Sequence, residues 1–162
     1  MSELSAESVR AWLESRAPDL EYIEAKASTA TVAEAASALG VLPAQIAKSL
    51  AIRAGNHVFL LVTSGIARLD NARSKAEFGA RPRMLGEGET LALTGHPVGG
   101  VCPFDLPSGL PVYLDISLQS LGTVYPAGGS LNTSVRTAVD RLFELVGDRW
   151  VDLCTLPDSA ER

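Results

Sequence analysis

Alternating apolar and polar residues in the first third of the chain predict two adjacent β-strands. In "IAKSLAI", Ile46 to Ile52, apolar residues recur at every second position, as in a strand whose successive side chains face opposite sides of a sheet. The polar stretch "RAGNH" that follows has the composition of a turn, and "VFLLVTSG" is apolar on both faces, as in a strand inside a sheet. We therefore expect a β-hairpin with a buried second strand.

Helix signals flank this hairpin on both sides. An apolar stripe that ends at Pro18 marks the first, and capping residues or terminal glycines mark others. The first predicted helix covers residues 5–16, and the second begins with the capping pair Thr31 and Glu34 and ends at Gly40. The third follows Asp70 in "NARSKAEFG", and the fourth lies within "GEGETLALTG". The last begins with the pair Thr137 and Asp140 and ends at about Gly147.

Short strands complete the pattern. We expect them near Tyr22 to Ala25 and in "VYLD", "GTVYPAGG" with a turn at Gly128 and Gly129, "LNTSVR" and "WVDLC". Residues 94–111 are rich in glycine and proline and should form a loop. Strands and helices are interspersed without a regular strand-helix-strand order. The sequence thus predicts a single compact α+β domain over residues 1–162, with a mixed, mainly antiparallel sheet surrounded by helices.

Composition narrows the class of protein. The chain has 162 residues, of which 46% are hydrophobic and 20% charged, as in one ordinary globular domain. It contains no apolar run long enough to span a bilayer and begins without the apolar core of a signal peptide, so we expect a cytoplasmic protein that does not bind membranes. Cys102 and Cys154 form no C-x-x-C pair, which argues against a zinc site or a disulfide framework.

The net charge of -5 argues against a broad basic surface for DNA, but local phosphate contacts stay possible. Basic residues outnumber acidic ones between Arg68 and Arg83. This cluster is either a solvated face or a rim that contacts phosphate, and its candidate residues are Arg68, Arg73 and Arg83.

Lys48 interrupts the apolar row of the first hairpin strand. In one interpretation its methylene stem covers apolar surface while the ammonium group reaches water. In the other, the strand forms the floor of a pocket and the ammonium group awaits an anion or a polarised carbonyl.

The loop "GGVCP", Gly99 to Pro103, is the second candidate feature. Its glycines allow N–H groups to point at a ligand oxygen, as an oxyanion hole requires, although glycine and proline also serve as simple turn residues. Cys102 and His96 lie in the same loop and could form an activated thiolate pair; the alternative is a buried, inert cysteine. Nothing resembles a Ser-His-Asp arrangement or a metal cluster.

Three collinear motifs resemble the YbaK family, also called the prolyl-tRNA synthetase-associated editing domain. They are "STATVAEAASALGVLPAQIAKSLAIR", "LLVTSGIARLD" and "LTGHPVGGVCPFDLP" followed by "PVYLD". The likeness covers roughly residues 29–129 and implies a compact α+β fold around a mixed sheet. It also implies a free-standing deacylase that hydrolyses the ester between a wrong amino acid and its tRNA, typically tRNA(Pro), in the cytoplasm and without metal or organic cofactor.

The strand lysine of the family matches Lys48 and its G-x-x-x-P loop matches Gly99 to Pro103, and from these matches we form a hypothesis about the roles of individual residues. Lys48 would bind the phosphate or polar groups of the terminal adenosine. Backbone N–H groups of Gly99 to Cys102 would orient the aminoacyl carbonyl and stabilise its negative charge, with water or a substrate group attacking. The predicted site comprises Lys48, Gly99 and Gly100 as catalytic residues and Val101, Cys102, Pro103, Ser64, Gly65, Gly128 and Gly129 as substrate-binding residues.

Two departures and two alternatives accompany this hypothesis. Cys102 stands where the family often has a small or polar residue, and Asp105 where it often has glycine, so the size of the pocket is open. The chain could instead be a non-catalytic module that binds an aminoacyl-tRNA or nucleotide end, or a thiol hydrolase using Cys102. The amino acid removed (alanine, cysteine, serine or another small residue) and the need for a synthetase partner are also left open.

Overall fold

Helices and strands are interspersed along residues 2–107 and 109–157, the part of the chain that the computed structural model describes. The helices are α1 (Ser2–Arg16), α2 (Val32–Leu39), α3 (Asn71–Phe78), α4 (Glu87–Thr94) and α5 (Val139–Val146). The strands are β1 (Glu21–Glu24), β2 (Ile46–Ala54), β3 (His57–Ser64), β4 (Arg68–Leu69), β5 (Arg83–Met84), β6 (Val112–Asp115), β7 (Thr123–Pro126), β8 (Thr133–Ala138), β9 (Arg149–Val151) and β10 (Cys154–Thr155). None of the helices among these residues is both long and apolar enough to cross a bilayer.

Most strands join one mixed sheet in the order β1-β8-β7-β2-β3-β6-β9, and β5 also pairs with β2. The pairs β2/β7, β3/β6 and β6/β9 are parallel, and the other pairs of this sheet are antiparallel. The short strands β4 and β10 form a separate antiparallel pair. The predicted α+β class with a mixed, mainly antiparallel sheet is therefore confirmed.

The predicted hairpin is present as β2 and β3, which pair antiparallel from Ala47 opposite Ser64 to Ala54 opposite His57. Strand β3 lies inside the sheet, and its apolar side chains pack on both faces. Leu60 belongs to the core cluster on one face and Leu61 to the cluster on the other, and both are fully buried. This two-sided burial explains why the strand lacks alternation in its sequence.

Side chains cap two of the helices where the sequence predicts it. The Thr31 side chain accepts a hydrogen bond from the Glu34 N–H at the start of α2, and Gly40 ends that helix with a left-handed φ of 69°. Asp70 accepts from the Arg73 N–H at the start of α3.

Two predictions near the end of the chain are wrong in detail. Helix α5 begins at Val139 and not at Thr137, because Thr137 still pairs with Val124 in the sheet. The segment "WVDLC" is not one strand, since β9 ends at Val151 and the chain turns away before β10. The Asp115 carboxylate accepts a hydrogen bond of 2.8 Å from the Leu153 N–H at this turn.

One edge of β2 is only partly covered by neighbouring strands. Strand β7 pairs with β2 at Ile46 and Ala47, and β5 pairs with it at Ile52 and Arg53. Between these two contacts, residues 48–51 have no strand partner on that side among the residues described. This open edge positions the candidate site.

Candidate functional site

A cavity of about 490 Å³ opens along the uncovered edge of β2. Its size is in the range of sites for small ligands. Residues 46–51 contribute to its floor, and the walls come from the start of α2, the start of α4, the end of β7 and the glycine-containing loop, residues 98–103. The wall residues are 29–32, Ala35, 84–87, Thr90, Val98, Gly99, Val101, Tyr125 and Ala127.

A second cavity, of about 570 Å³, lies between α1 and residues 130–133. It is lined by charged residues, including Glu7, Arg10 and Glu24, and by none of the residues that the sequence predicts for the site. The cavity at the open edge of β2 contains Lys48, Gly99 and Val101 together. It is therefore the better candidate, although it is the smaller of the two.

Lys48 is half-buried at the floor of the cavity, and its Nζ donates a hydrogen bond of 2.8 Å to the Ala67 carbonyl oxygen. Burial lowers the pKa of this lysine, because the charged form loses hydration, and the nearby Arg68 lowers it further. An ammonium group has three donors, so the bond to Ala67 leaves two for a ligand.

Lys48 and the glycine-containing loop approach the cavity from opposite faces of β2. Ala47 and Ala51 pack in the same core cluster as Cys102. The Lys48 ammonium instead contacts Ala67, which belongs to the cluster on the other face. Because residues 48–51 have no strand beside them, both sides reach the same cavity at the open edge.

Gly99 lines the cavity with a positive φ of 96°. This conformation favours glycine, and a Cβ at this position would lie 2.5 Å from the end of the Leu131 side chain, which would have to move. Gly100 differs from the prediction: its N–H donates to the Pro97 carbonyl at 2.9 Å, and it packs against the Ser130 backbone. In this structure the Gly100 N–H is therefore not free to bind a substrate.

Cys102 and Pro103 are buried and do not line the cavity. Burial raises the pKa of the Cys102 thiol to about 12, so the thiol keeps its proton near neutral pH. His96 Nε2 lies 3.5 Å from the sulfur but also 2.8 Å from the Phe104 carbonyl oxygen, which accepts from it. These surroundings oppose an activated thiolate, and both residues support the loop from within the core.

The other predicted substrate-binding residues also lie outside the cavity lining. The Ser64 hydroxyl donates to the Ala44 carbonyl at 2.8 Å, and a Cβ on Gly65 would lie 2.3 Å from the Pro43 carbonyl oxygen. The Gly128 carbonyl accepts from Tyr22, and Gly129 packs against α1. Their contacts shape the elements around the cavity and give them no direct access to its contents.

The three candidate rim arginines have different surroundings. Arg68 is exposed and close enough to Lys48 to affect its pKa. Arg83 is exposed and precedes Met84, which lines the cavity. Arg73 is engaged elsewhere, because its guanidinium group donates to both carboxylate oxygens of Asp152 at 2.8 and 2.9 Å.

Ser49 is a cavity residue that the sequence prediction missed. Its Oγ is buried without a hydrogen-bond partner, and no other buried side-chain nitrogen or oxygen shares this condition among the residues described. The sequence feature that could have indicated this residue is a hydroxyl side chain next to Lys48, on the strand face that otherwise carries Ala47 and Ala51. Met84 and Val98 were missed as well; each is 52% exposed where it lines the cavity.

Besides Lys48, one further charged residue lines the described part of this cavity. Glu87, at the start of α4, is the acidic residue in its described lining. No group of three or more metal-ligating side chains occurs within residues 2–107 and 109–157.

Comparison with known proteins assigns most of the chain to one family. Residues 26–145 match the model of the family described as the aminoacyl-tRNA editing domain. The uncharacterized protein YwhH of Bacillus subtilis (strain 168) is 41% identical over 153 residues, which cover 93% of this chain and 98% of that protein.

Solved structures share the same fold. The crystal structure of a candidate trans-editing enzyme for prolyl tRNA synthetase superposes with a TM-score of 0.84 at 36% identity, covering 93% of this chain and 97% of the other. The hypothetical protein APE2540 superposes with a TM-score of 0.83 at 32% identity, covering 91% of this chain and 99% of the other.

Proposed function

The chain belongs to the aminoacyl-tRNA editing domain family, and from this premise we propose that it is a free-standing editing hydrolase. Its substrate would be a tRNA, first of all tRNA(Pro), that carries a wrong small amino acid such as alanine or cysteine. The solved relative described as a candidate trans-editing enzyme for prolyl tRNA synthetase supports this choice of tRNA. The protein would act in the cytoplasm, where charged tRNA is used.

One observation carries the proposal: Lys48, Gly99 and Val101 line a single cavity at the open edge of β2. A half-buried ammonium group that has no carboxylate partner among the residues described favours an anionic or strongly polar ligand. The rest of the cavity is mainly apolar, which suits a small side chain and the ring of a nucleoside.

Binding would begin with the terminal nucleotide. Lys48 has donors left for its phosphate or sugar oxygens, and Arg68 lies nearby with an exposed side chain. The protein needs to hold only the end of the acceptor strand, which is compatible with its net negative charge.

Hydrolysis would follow at the ester carbonyl. A water oxygen, or a group on the substrate itself, adds to the carbonyl carbon, and the carbonyl oxygen becomes negatively charged. Gly99 and Val101 line the cavity, and in this proposal their main-chain N–H groups would stabilise this charge. The bond to the ribose oxygen then breaks, and that oxygen takes up the proton that the attacking group has lost. Attack by water releases the amino acid as a carboxylic acid, whereas attack by a substrate group first releases a cyclic ester or thioester, which water then opens.

No histidine or cysteine lines the cavity among the residues described. Catalysis would therefore rest on positioning and on electrostatic stabilisation. A separate hydrolytic site is useful to the cell because a synthetase gains only about 1–3 kcal/mol of discrimination from one methylene group.

Deacylation assays test the proposal directly. The purified chain is mixed with tRNA(Pro) charged with alanine, cysteine, serine or proline, and the loss of the aminoacyl ester is followed over time. We expect at least one small non-cognate amino acid to be released much faster than without protein, while prolyl-tRNA(Pro) persists. Saturable binding of these tRNAs without turnover would instead favour a non-catalytic binding module, and equal rates for all four would contradict an editing role.

A further inference from the structure

Ser49 combines several polar groups at one point of the cavity floor. It follows Lys48 on β2 and lies between Ala47 and Ala51 on the face that packs toward the glycine-containing loop. These small neighbours leave room around it. The residue is partly exposed, but its Oγ is covered and finds no hydrogen-bond partner in the part of the chain that the structure describes.

The main chain of Ser49 faces the open edge of the strand. The Leu85 N–H donates to the Ala51 carbonyl at 3.0 Å from the side of β5. Backbone groups of alternate residues in a strand point to the same edge, so the N–H and C=O of Ser49 also point to this side. Neither β7 nor β5 pairs with Ser49 there.

A buried hydroxyl group without a partner is unfavourable, and such groups in a native fold call for an explanation. Serine rotates about a single side-chain bond between three staggered positions. A polar ligand group in the cavity would give the hydroxyl a partner after one such rotation. An apolar ligand group in the same place would leave it unpaired.

We propose that Ser49 is the residue that selects the amino acid to be removed. Its hydroxyl group exchanges a hydrogen bond with the side chain of the esterified amino acid, so the site prefers a hydroxyl-bearing or thiol-bearing residue, such as serine or cysteine, to alanine. The inference rests on the proposed function and deepens it. The main-chain N–H and C=O of Ser49 remain available to hold the groups that all amino acids share.

One hydroxyl group in the site is enough to discriminate between serine and alanine. A site that hydrogen-bonds a substrate hydroxyl discriminates strongly against the analogue without it, because the polar group of the site is then left unpaired. Ala47, Ala51 and Val101 are apolar and offer no competing side-chain partner. The hydroxyl groups of the lining residues Thr29, Thr31 and Thr90 are each already hydrogen-bonded to a main-chain group. We expect a preference for serine over alanine of roughly ten- to a hundred-fold.

The test compares Ser49→Ala with the wild type on one tRNA charged in parallel with serine or alanine. We expect the variant to release serine roughly ten times more slowly or worse, with alanine released at an unchanged or higher rate, so that the ratio of the two rates collapses. The Ser120→Ala variant is the matched control, because Ser120 is exposed and lies outside the cavity. An unchanged ratio, or an equal loss for both amino acids, would overturn the proposal.

A binding measurement separates this inference from the proposed function. Stable amides of 3′-amino-3′-deoxyadenosine with serine or alanine cannot be hydrolysed as esters, so their dissociation constants report selection alone. Tighter binding of the seryl compound by the wild type, lost in Ser49→Ala, supports the selection even if no tRNA is deacylated. Deacylation combined with equal binding of both compounds by the wild type would leave the editing function standing and refute the role of Ser49.

Discussion

The ammonium group of Lys48 donates a hydrogen bond of 2.8 Å to the main-chain carbonyl oxygen of Ala67. This partner is neutral, and Lys48 takes part in none of the ion pairs found among the residues described. The side chain is thus held in place while its charge is left without a counter-ion. A carboxylate at the position of the Ala67 carbonyl would have balanced the charge of the lysine and reduced its attraction for a nucleotide.

Replacement of this lysine should remove activity without unfolding the protein. We expect Lys48→Ala to lower kcat/KM for deacylation by roughly a hundred-fold or more, since it removes an electrostatic contact in a partly buried site. The free energy of unfolding should change by less than about 1 kcal/mol, because the half-buried charge itself opposes folding. Deacylation rates and urea denaturation measure the two effects.

The control for this variant is Lys75→Ala, which removes an exposed lysine from α3. It should leave both quantities unchanged. Full activity in a folded Lys48→Ala protein would end the central role given to this residue.

Cys102 should prove dispensable for the chemistry. Its thiol is fully buried, and burial raises its pKa to about 12, so we expect Cys102→Ala to keep most of the deacylase activity. In the native protein, Cys102 and Cys154 should react slowly with a thiol reagent at pH 7.5, and both should react at once in denaturant. Loss of activity in a variant of native stability would revive the thiol mechanism.

Gly99 should tolerate alanine less well than another glycine of similar conformation. Gly99→Ala places a Cβ 2.5 Å from the Leu131 side chain in addition to the strain of its positive φ. Gly95→Ala carries a comparable φ of 77° but has open space around the new Cβ. We expect each change to cost about 1–3 kcal/mol from strain, with the larger loss of stability and activity at Gly99, as measured by denaturation and deacylation. Equal losses would show that the packing at Gly99 is unimportant.

Burial of His96 should make stability depend on pH in the mildly acidic range. His96 donates through Nε2 to the Phe104 carbonyl, and its Nδ1 lies 2.6 Å from the Ser5 hydroxyl. Burial lowers the pKa of His96 below its usual 6.5, so the unfolded chain takes up the proton before the folded one. The stabilisation is therefore complete above pH 6.5 and declines as the pH falls toward the folded-state pKa.

Urea denaturation at pH 7.5 and pH 5 tests this sign. The wild type should lose more stability on acidification than His96→Gln, which lacks the titrating group. Parallel losses in the two proteins would show that His96 is not responsible.

The rim arginines should differ in their effect on tRNA affinity. Arg68→Ala should weaken tRNA binding and reduce its salt dependence by about one phosphate contact, because Arg68 is exposed near Lys48. Arg73→Ala should leave binding nearly unchanged, since Arg73 is paired with Asp152. Dissociation constants measured over a range of salt concentrations decide between them, and a larger effect at Arg73 would contradict this assignment.

Much of the fold was predictable because its signals are local. Thr31, Gly40 and Asp70 set helix ends through contacts within one turn, and the β2/β3 hairpin follows from alternation and a short polar turn. The boundary at Thr137 was missed because a long-range strand pair, with Val124, overrides the local helix signal. The break in "WVDLC" likewise depends on Asp115, far away along the chain.

The site was predictable only in part, for the same reason. Lys48 and Gly99 stood out as residue types that need a special environment, and the structure brings them to one cavity. The sequence could not indicate that the Gly100 N–H is bonded to Pro97 or that Cys102 is enclosed, because both depend on how the loop folds back. Ser49 escaped notice because its missing partner is visible only in three dimensions.

The parallel pairing of Ile46 with Tyr125 has a consequence for the order of events on the ribosome. The lysine-bearing strand is synthesised early, but the wall formed by Tyr125 and Ala127 emerges only after most of the chain has been made. A nascent chain that ends before Tyr125 contains Lys48 and Gly99 but lacks this wall of the cavity. Translation that stops there should therefore yield a polypeptide unable to capture charged tRNA, so the activity would appear only once synthesis is nearly finished.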